Sequence, residues 1–321
     1  MPKPYFTISL DFELIWGLLD KRNIKNYIPS ILAVREVVPE LLKLFNRYSI
    51  HVTWATVGFI TFETKKDLLE NLPIIKPNYE NKLLDPYNYL INIGKNEKED
   101  PLHYGYSLFN KILDYPNMEI GSHSFSHFYC LENNHNYDSF DSDTEAMLNR
   151  LDFFEIVPKS MVFCRNQYDN RSLNSIKNFG FKYYRGNNNN FIYKSRNTND
   201  ENLLLKSIRY VDTYLPLTNN VATLKFNQNG LLNSPSSAFL RPYSKLDKYM
   251  LNFKLNRIYN SMEFAASNNL GYHLWWHPFN FGINLKKNLD ILEKILIHYK
   301  SLNYKFDMQS INISESLNVL N

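Results

Sequence analysis

Residues 5–13 read YFTISLDFE, an apolar run that ends in two acids, Asp11 and Glu13. Its length and its aromatic and β-branched content read as a buried strand. Ser30 to Tyr48 (SILAVREVVPELLKLFNRY) follows with apolar residues at helical spacing, and Ile50 to Val57 (IHVTWATV) is again strand-like. A strand, a helix and a strand in that order favour an α/β fold with a parallel sheet, because parallel neighbours need a crossover between them. In barrels built from such units the C-terminal ends of the strands carry the chemistry. Asp11 and Glu13 lie there, and being two apart they project from one face. Beside Phe12 and Trp16, two free carboxylates are costly to bury without a cation.

The remaining chain extends the pattern. Residues 61–116 are more polar and read as a rim insertion with short helices. Met118 to Gly121 (MEIG) reads as a third strand, and Asp141 to Phe154 as a helix with acids at its start, as the helix dipole favours. Lys159 to Cys164 (KSMVFC) reads as a strand, Leu173 to Asn178 as a helix, and Phe181 to Tyr184 as a strand after the C-capping Gly180. The Asn187 to Asn190 run and residues 194–203 read as surface loop. Strand-like pieces near 205–212, 222–227 and 237–241 precede a helix over Leu246 to Asn268. Tyr272 to Trp276 (YHLWW) is a clear strand, and Leu289 to Leu302 an amphipathic final helix. About six to eight β-α units add up to a barrel or near-barrel, and the absence of an interior linker favours one domain over residues 1–321.

Composition narrows the function classes. A net charge of +4 without any block of Lys or Arg gives no nucleic-acid footprint. Two cysteines, Cys130 and Cys164, do not make a disulfide framework and suit a reducing compartment. No apolar leader and no run of 18 apolar residues is visible, so a soluble cytoplasmic protein without a membrane span is expected. Neither a Gly-rich phosphate loop nor a Gly-x-Ser-x-Gly elbow occurs, which disfavours nucleotide-dependent dehydrogenases, kinases and serine hydrolases. The 23 Tyr, 22 Phe and 4 Trp suit stacking on sugar faces as well as core filling.

His123 and His127 stand four apart in GSHSFSH (Gly121 to His127). That spacing puts two imidazoles on one face of a helical turn, within reach of one ion, although a capping or surface role fits it too. His273 and His277 share the spacing, but on a strand they lie roughly 13 Å apart, too far to share an ion. His277 ends the strand in LWWHPFNFG, where a histidine serves as a general acid near neutral pH. Arg165 ends the KSMVFC strand and is placed to hold a carboxylate. Cys164 beside it is read as buried by its strand, although the neighbouring arginine favours a thiolate.

Together these pieces resemble the polysaccharide deacetylase family of carbohydrate esterases, in the same order along nearly the whole chain. ISLDFE resembles the family's acid-rich first motif, and EIGSHSFSH its His-Ser/Thr-x-x-His motif, the most specific match. CRNQY (Cys164 to Tyr168) resembles the third motif, and LWWH the last, which ends in the catalytic histidine. DPLHYG (Asp100 to Gly105) is similar to members that act in surface-glycan assembly. The resemblance implies a distorted (β/α) barrel of about seven parallel strands. It implies a divalent ion, zinc foremost, and removal of an acetyl group from an N-acetylated sugar or glycan precursor. By position it makes His123, His127 and Glu13 the metal ligands, Asp11 the general base, His277 the general acid and Arg165 the residue that orients Asp11. Tyr168 and Trp276 become substrate-binding residues, with the Tyr168 backbone N–H near the oxyanion. The chain departs from the pattern in three places. Phe12 separates the two acids, which leaves open which one binds the ion. Gln167 replaces the proline of the third motif, and the fourth motif has no clear equivalent near FKYYRG. A small non-sugar amide, such as a ureide or formamide, would suit the same site, and a catalytically silent glycan-binding barrel is the non-enzymatic alternative.

Overall fold

In the computed structural model, which describes residues 2–188, 190–218 and 220–320, strand β1 (Tyr5–Phe12) is buried along its whole length. It lies between β2 (Val52–Thr56) and β9 (Gly271–Trp276) and runs parallel to both. A strand covered on both faces needs the near-continuous apolar run that its sequence shows. On one side the sheet continues through β3 (Met118–Ser122), β4 (Ser160–Met161), β5 (Tyr183–Tyr184), β7 (Leu232–Asn233) and β6 (Lys225–Phe226). On the other side β9 is followed by β8 (Ala238–Phe239), and β10 (Gln309–Ser310) pairs with the start of β1. Every pairing is parallel except that of β6 with β7. The path has two ends, so the expected barrel is a curled, open half-barrel.

The helices that link these strands are α1 (Ile28–Leu32), α2 (Val34–Arg47), α3 (Lys65–Glu70), α4 (Tyr106–Leu113), α5 (Tyr137–Asp152), α6 (Asn170–Asn178), α7 (Leu203–Val211), α8 (Asp247–Ser267) and α9 (Leu285–Phe306). Their starts follow capping chemistry. The Asn136 side chain accepts the N–H of Asp138 at 2.8 Å, so α5 begins before the acids that first suggested its start. Asp169 and Ser172 form a reciprocal capping box at α6. On α2, Val34, Val37, Val38, Leu41, Leu42 and Phe45 are buried, as their spacing predicts.

Two expectations change. The segment near 205–212 is helical, because Asn202 caps it by accepting the N–H of Leu205 at 2.9 Å. A run rich in apolar residues reads alike in either state, and the cap decides it. Residues 61–116 form more than a rim: Leu68, Tyr79, Leu90, Ile93, Tyr104 and Phe109 are buried. Arg35 reaches into this segment and donates to the Tyr104 carbonyl at 2.6 Å. Of the Asn187 to Asn190 run, Asn189 lies outside the described residues. Among the described residues no helix is long and apolar enough to cross a membrane.

Candidate active site

The last residues of β1 carry Asp11 and Glu13 to the C-terminal edge of the sheet, both nearly fully buried. Their surroundings divide them. Glu13 Oε2 lies 2.9 Å from His127 Nε2 and 3.4 Å from His123 Nε2. Asp11 is instead gripped by Arg185, with Nη1 donating to Oδ1 at 2.6 Å and Nη2 to Oδ2 at 2.8 Å. Burial alone would raise both carboxyls. The Arg185 guanidinium outweighs it for Asp11, and the His277 and His127 imidazoles hold Glu13 well below the usual range.

His123 and His127 do not share a helical turn. They sit in the loop after β3, where Ser124 and His127 take left-handed backbone angles (φ 59° and 64°). Such angles are uncommon outside glycine and need support from around them. Asp143 on α5 supplies it, accepting the N–H of Phe125 at 2.7 Å, the N–H of Ser126 at 3.0 Å and the Ser126 hydroxyl. Ser124 Oγ accepts the Phe128 N–H at 2.6 Å, and the His123 N–H reaches the Thr56 carbonyl at 2.9 Å. So a spacing of four brings two imidazoles together here through a braced loop.

The chemistry of this cluster suits a cation. His123 is fully buried and its Nδ1 lies 2.7 Å from the Val162 carbonyl. A neutral imidazole that donates from Nδ1 keeps its lone pair on Nε2. That Nε2 has no hydrogen-bond partner and faces Glu13. An orphaned buried acceptor costs about 1–3 kcal/mol, a penalty that a bound ion removes. Gly17 leaves the room the carboxylate needs, since a Cβ there would fall 2.1 Å from Glu13 Oε1. One carboxylate and two imidazoles are a donor set that a divalent ion such as zinc accepts.

Sequence reasoning missed Cys164. Its thiol is buried, and its Sγ and one donor atom from each of His123 and His127 lie within 4.8 Å of one another. Burial would raise the thiol and lower the imidazoles. Their mutual attraction prevails, bringing Cys164 down to about 6 and His127 up to about 9. Strand periodicity read it as core; Cys164 stands three residues past β4, and only the pairing of β4 with β3 brings it to the histidines.

His277 follows β9 and turns its Nε2 to within 3.8 Å of Asp11 Oδ2 and 3.5 Å of Glu13 Oε1. Its Nδ1 lies 3.2 Å from Asn280 Oδ1, which can only accept, so Asn280 orients the ring. Phe279 stacks on the other side, with ring centroids 5.0 Å apart.

Three residues expected here are placed differently. Arg165 pairs with Asp20 and donates to Thr198 Oγ1 at 3.0 Å, so it ties two loops at the cavity wall. Arg185 takes the position beside Asp11, coming from the end of β5 in the FKYYRG stretch. Trp276 is fully buried against Phe45 and Phe281, whereas Trp275 lines the cavity. The strand period explains it, because Trp275 and His277 are two apart and share a face, while Trp276 points the other way. Tyr168 packs its ring on Phe163 and Tyr184, and its hydroxyl accepts the Asn187 N–H at 3.2 Å. At that turn Arg165, Asn166 and Gln167 line the cavity.

The cavity over these groups measures about 440 Å³, with Tyr193, Phe239, Trp275 and Phe279 among its walls. That is ample for a small organic ligand. Lys194, Lys206 and Arg241 also line it and belong to none of the ion pairs among the described residues.

With this geometry in place, solved structures give the fold its relatives. A chain described as a polysaccharide deacetylase from Mycobacterium smegmatis superposes with a TM-score of 0.62 at 11% identity, over 99% of this chain and 91% of that one. One similarly described from Pseudomonas aeruginosa PAO1 gives 0.57 at 8% identity, over 99% and 91%. The fold is that of the polysaccharide deacetylases. An allantoinase, PuuE, shares it with a TM-score of 0.56 at 9% identity, over 98% of this chain and 88% of that one. No family model and no curated protein matches the sequence. At such identities the polysaccharide deacetylase fold is what the two chains share, and the chemistry rests on the residues described above.

Proposed function

We propose that this chain is a metal-dependent hydrolase that removes an acetyl group from an N-acetylated sugar or glycan precursor. One observation carries the reading: a buried Glu13–His123–His127 cluster stands beside an arginine-held Asp11 and an Asn280-oriented His277. Glu13, His123 and His127 would hold the ion. When bound, a divalent ion supplies Lewis-acid polarisation of the amide carbonyl and lowers the pKa of a water to about 7.

The chain's own residues do the rest. Asp11, kept ionised by Arg185, takes the proton of the attacking water. Arg185 fixes both oxygens of that carboxylate, so its orientation is set before substrate arrives. His277 Nε2 faces the same space and gives its proton to the departing amine. Acetate and a free amino sugar are the products. The aromatic walls suit a sugar face, and the cations of the cavity suit a substrate with an anionic carrier.

The test is elemental analysis of purified protein together with an acetate-release screen over N-acetylated nucleotide sugars and neutral N-acetylated oligosaccharides. Stoichiometric metal with acetate release supports the reading. Metal without release from any sugar favours a small-amide hydrolase, a second reading that the shared fold of the allantoinase supports. Neither metal nor acetate would leave a silent glycan-binding barrel.

A further inference from the structure

Cys164 opens the short turn three residues past β4, and its thiol is shut off from solvent. Its Sγ stands 3.3 Å from the His123 carbonyl and 3.5 Å from Ser124 Oγ, contacts that a weak S–H donor or acceptor meets only in part. What faces it matters more. The sulfur and one imidazole nitrogen from each of His123 and His127 fall within 4.8 Å of one another, and His123 Nε2, fully buried, has no hydrogen-bond partner. Glu13 Oε2 stands 2.9 Å from one imidazole Nε2 and 3.4 Å from the other.

These distances can be set against a coordination sphere. Zinc bonds of about 2.0–2.1 Å to nitrogen or oxygen and 2.3 Å to sulfur place neighbouring tetrahedral donors about 3.3–3.7 Å apart. The 3.4 Å separation of the carboxylate from His123 is already in that range, and the 2.9 Å one from His127 is slightly shorter. The sulfur stands within 4.8 Å of one nitrogen of each imidazole, about 1 Å outside that range.

We propose that Cys164 Sγ is a ligand of the same ion that Glu13, His123 and His127 hold, making a mixed oxygen, nitrogen and sulfur site. The inference rests on the metal-binding part of the reading above and is independent of the substrate. On coordination the S–H proton leaves to solvent and a sulfur lone pair goes to the ion. A thiolate favours zinc, cobalt or iron over magnesium and calcium, so the site selects borderline and soft ions. It also means that a water or carbonyl must enter either as a fifth ligand or in place of one protein donor. That requirement sets this centre apart from a site with three protein ligands and an open position.

Cobalt(II) titration of the metal-free chain tests it without any turnover. Visible d–d bands that saturate at one equivalent report an ion at the site. A near-ultraviolet sulfur-to-cobalt charge-transfer band rising with them reports the thiolate. The chain has two cysteines, so a band kept in Cys130→Ser and lost in Cys164→Ser assigns it to Cys164. Cys164→Ser should also bind at least tenfold more weakly. X-ray absorption on the zinc-loaded wild type needs no variant and should show one sulfur at about 2.3 Å. Visible bands without the charge-transfer band, or a zinc shell of nitrogen and oxygen alone, overturn the proposal and leave the metal reading standing. No saturating visible bands at all would remove both.

Discussion

Arg185 holds Asp11 by both ends of its guanidinium, at 2.6 and 2.8 Å, with Ser9 Oγ and Asn166 Oδ1 taking further N–H groups at 3.1 and 3.0 Å. Neither member of the pair is exposed. Removing one charge from a buried pair strands the other, at a cost of about 3–5 kcal/mol. Arg185→Met should therefore lower stability by about that amount. Arg185→Met combined with Asp11→Asn should recover much of it, because no charge is then left alone. Denaturant unfolding of the two single variants and the double variant measures the coupling. Strictly additive losses would contradict it.

The two acids should separate under mutation. Glu13→Gln weakens the carboxylate that meets both imidazoles, so bound metal should fall to well below one equivalent. Asp11→Asn should keep the metal and lose turnover by about 10²- to 10⁴-fold, the usual worth of a positioned general base. Metal content and acetate release on the same preparations decide the matter. Metal lost in Asp11→Asn and kept in Glu13→Gln would exchange their roles.

What the sequence made legible follows from which forces act locally. The β1 run, the α2 stripe and the position of His277 at a strand end are local patterns, and all are found in place. The division of labour between Asp11 and Glu13 was not readable, because both point the same way and only their partners from β3 and β5 distinguish them. Arg185 was hidden for the same reason: nothing near it in sequence shows that β5 ends opposite β1. Trp275 could have been chosen over Trp276 by the period of two alone. The helical geometry expected for His123 and His127 failed because the loop's shape depends on Asp143, from a helix further along the chain.

That dependence can be tested directly. Asp143→Ala removes the acceptor for two buried backbone N–H groups and one hydroxyl. Each stranded donor costs about 1–3 kcal/mol, so the variant should be destabilised by several kcal/mol and should bind metal more weakly even where it folds. Ser126→Ala removes only the hydroxyl and should cost less than half as much. Equal losses from the two variants would show that the backbone contacts do not brace the loop.

Gly17 offers a gentler disturbance of the metal cluster. An added methyl would fall 2.1 Å from Glu13 Oε1, 2.3 Å from its Cδ and 2.6 Å from Oε2. The carboxylate must swing away from the imidazoles to make room. Gly17→Ala should fold, since no left-handed backbone angle is needed there. Its affinity for zinc should fall by about tenfold or more, the range seen when metal ligands are misoriented. A chelator competition on the variant reads this, and an unchanged affinity would mean that Glu13 is not a ligand.

His273 gives the stability a pH dependence with a definite sign. It is fully buried behind the site, with its Nε2 2.8 Å from Ser9 Oγ. Arg185 donates to that same hydroxyl oxygen, which leaves the hydroxyl proton for the imidazole. Burial, with the Arg185 charge nearby, pushes His273 down to about 3. An unfolded histidine titrates near 6.5, so the fold holds the neutral form while the unfolded chain takes up a proton. The contribution is complete above that value and is lost as pH falls from about 6.5 toward 3, at up to about 1.4 kcal/mol per pH unit. His273→Gln lacks this titration. The stability gap between wild type and variant, measured by denaturant unfolding at several pH values between 7.5 and 5, should therefore shrink as pH falls. A gap that stays constant across that range would mean that His273 titrates alike in the folded and unfolded chain, as an exposed imidazole does, and a gap that widens would mean that it is protonated in the folded protein.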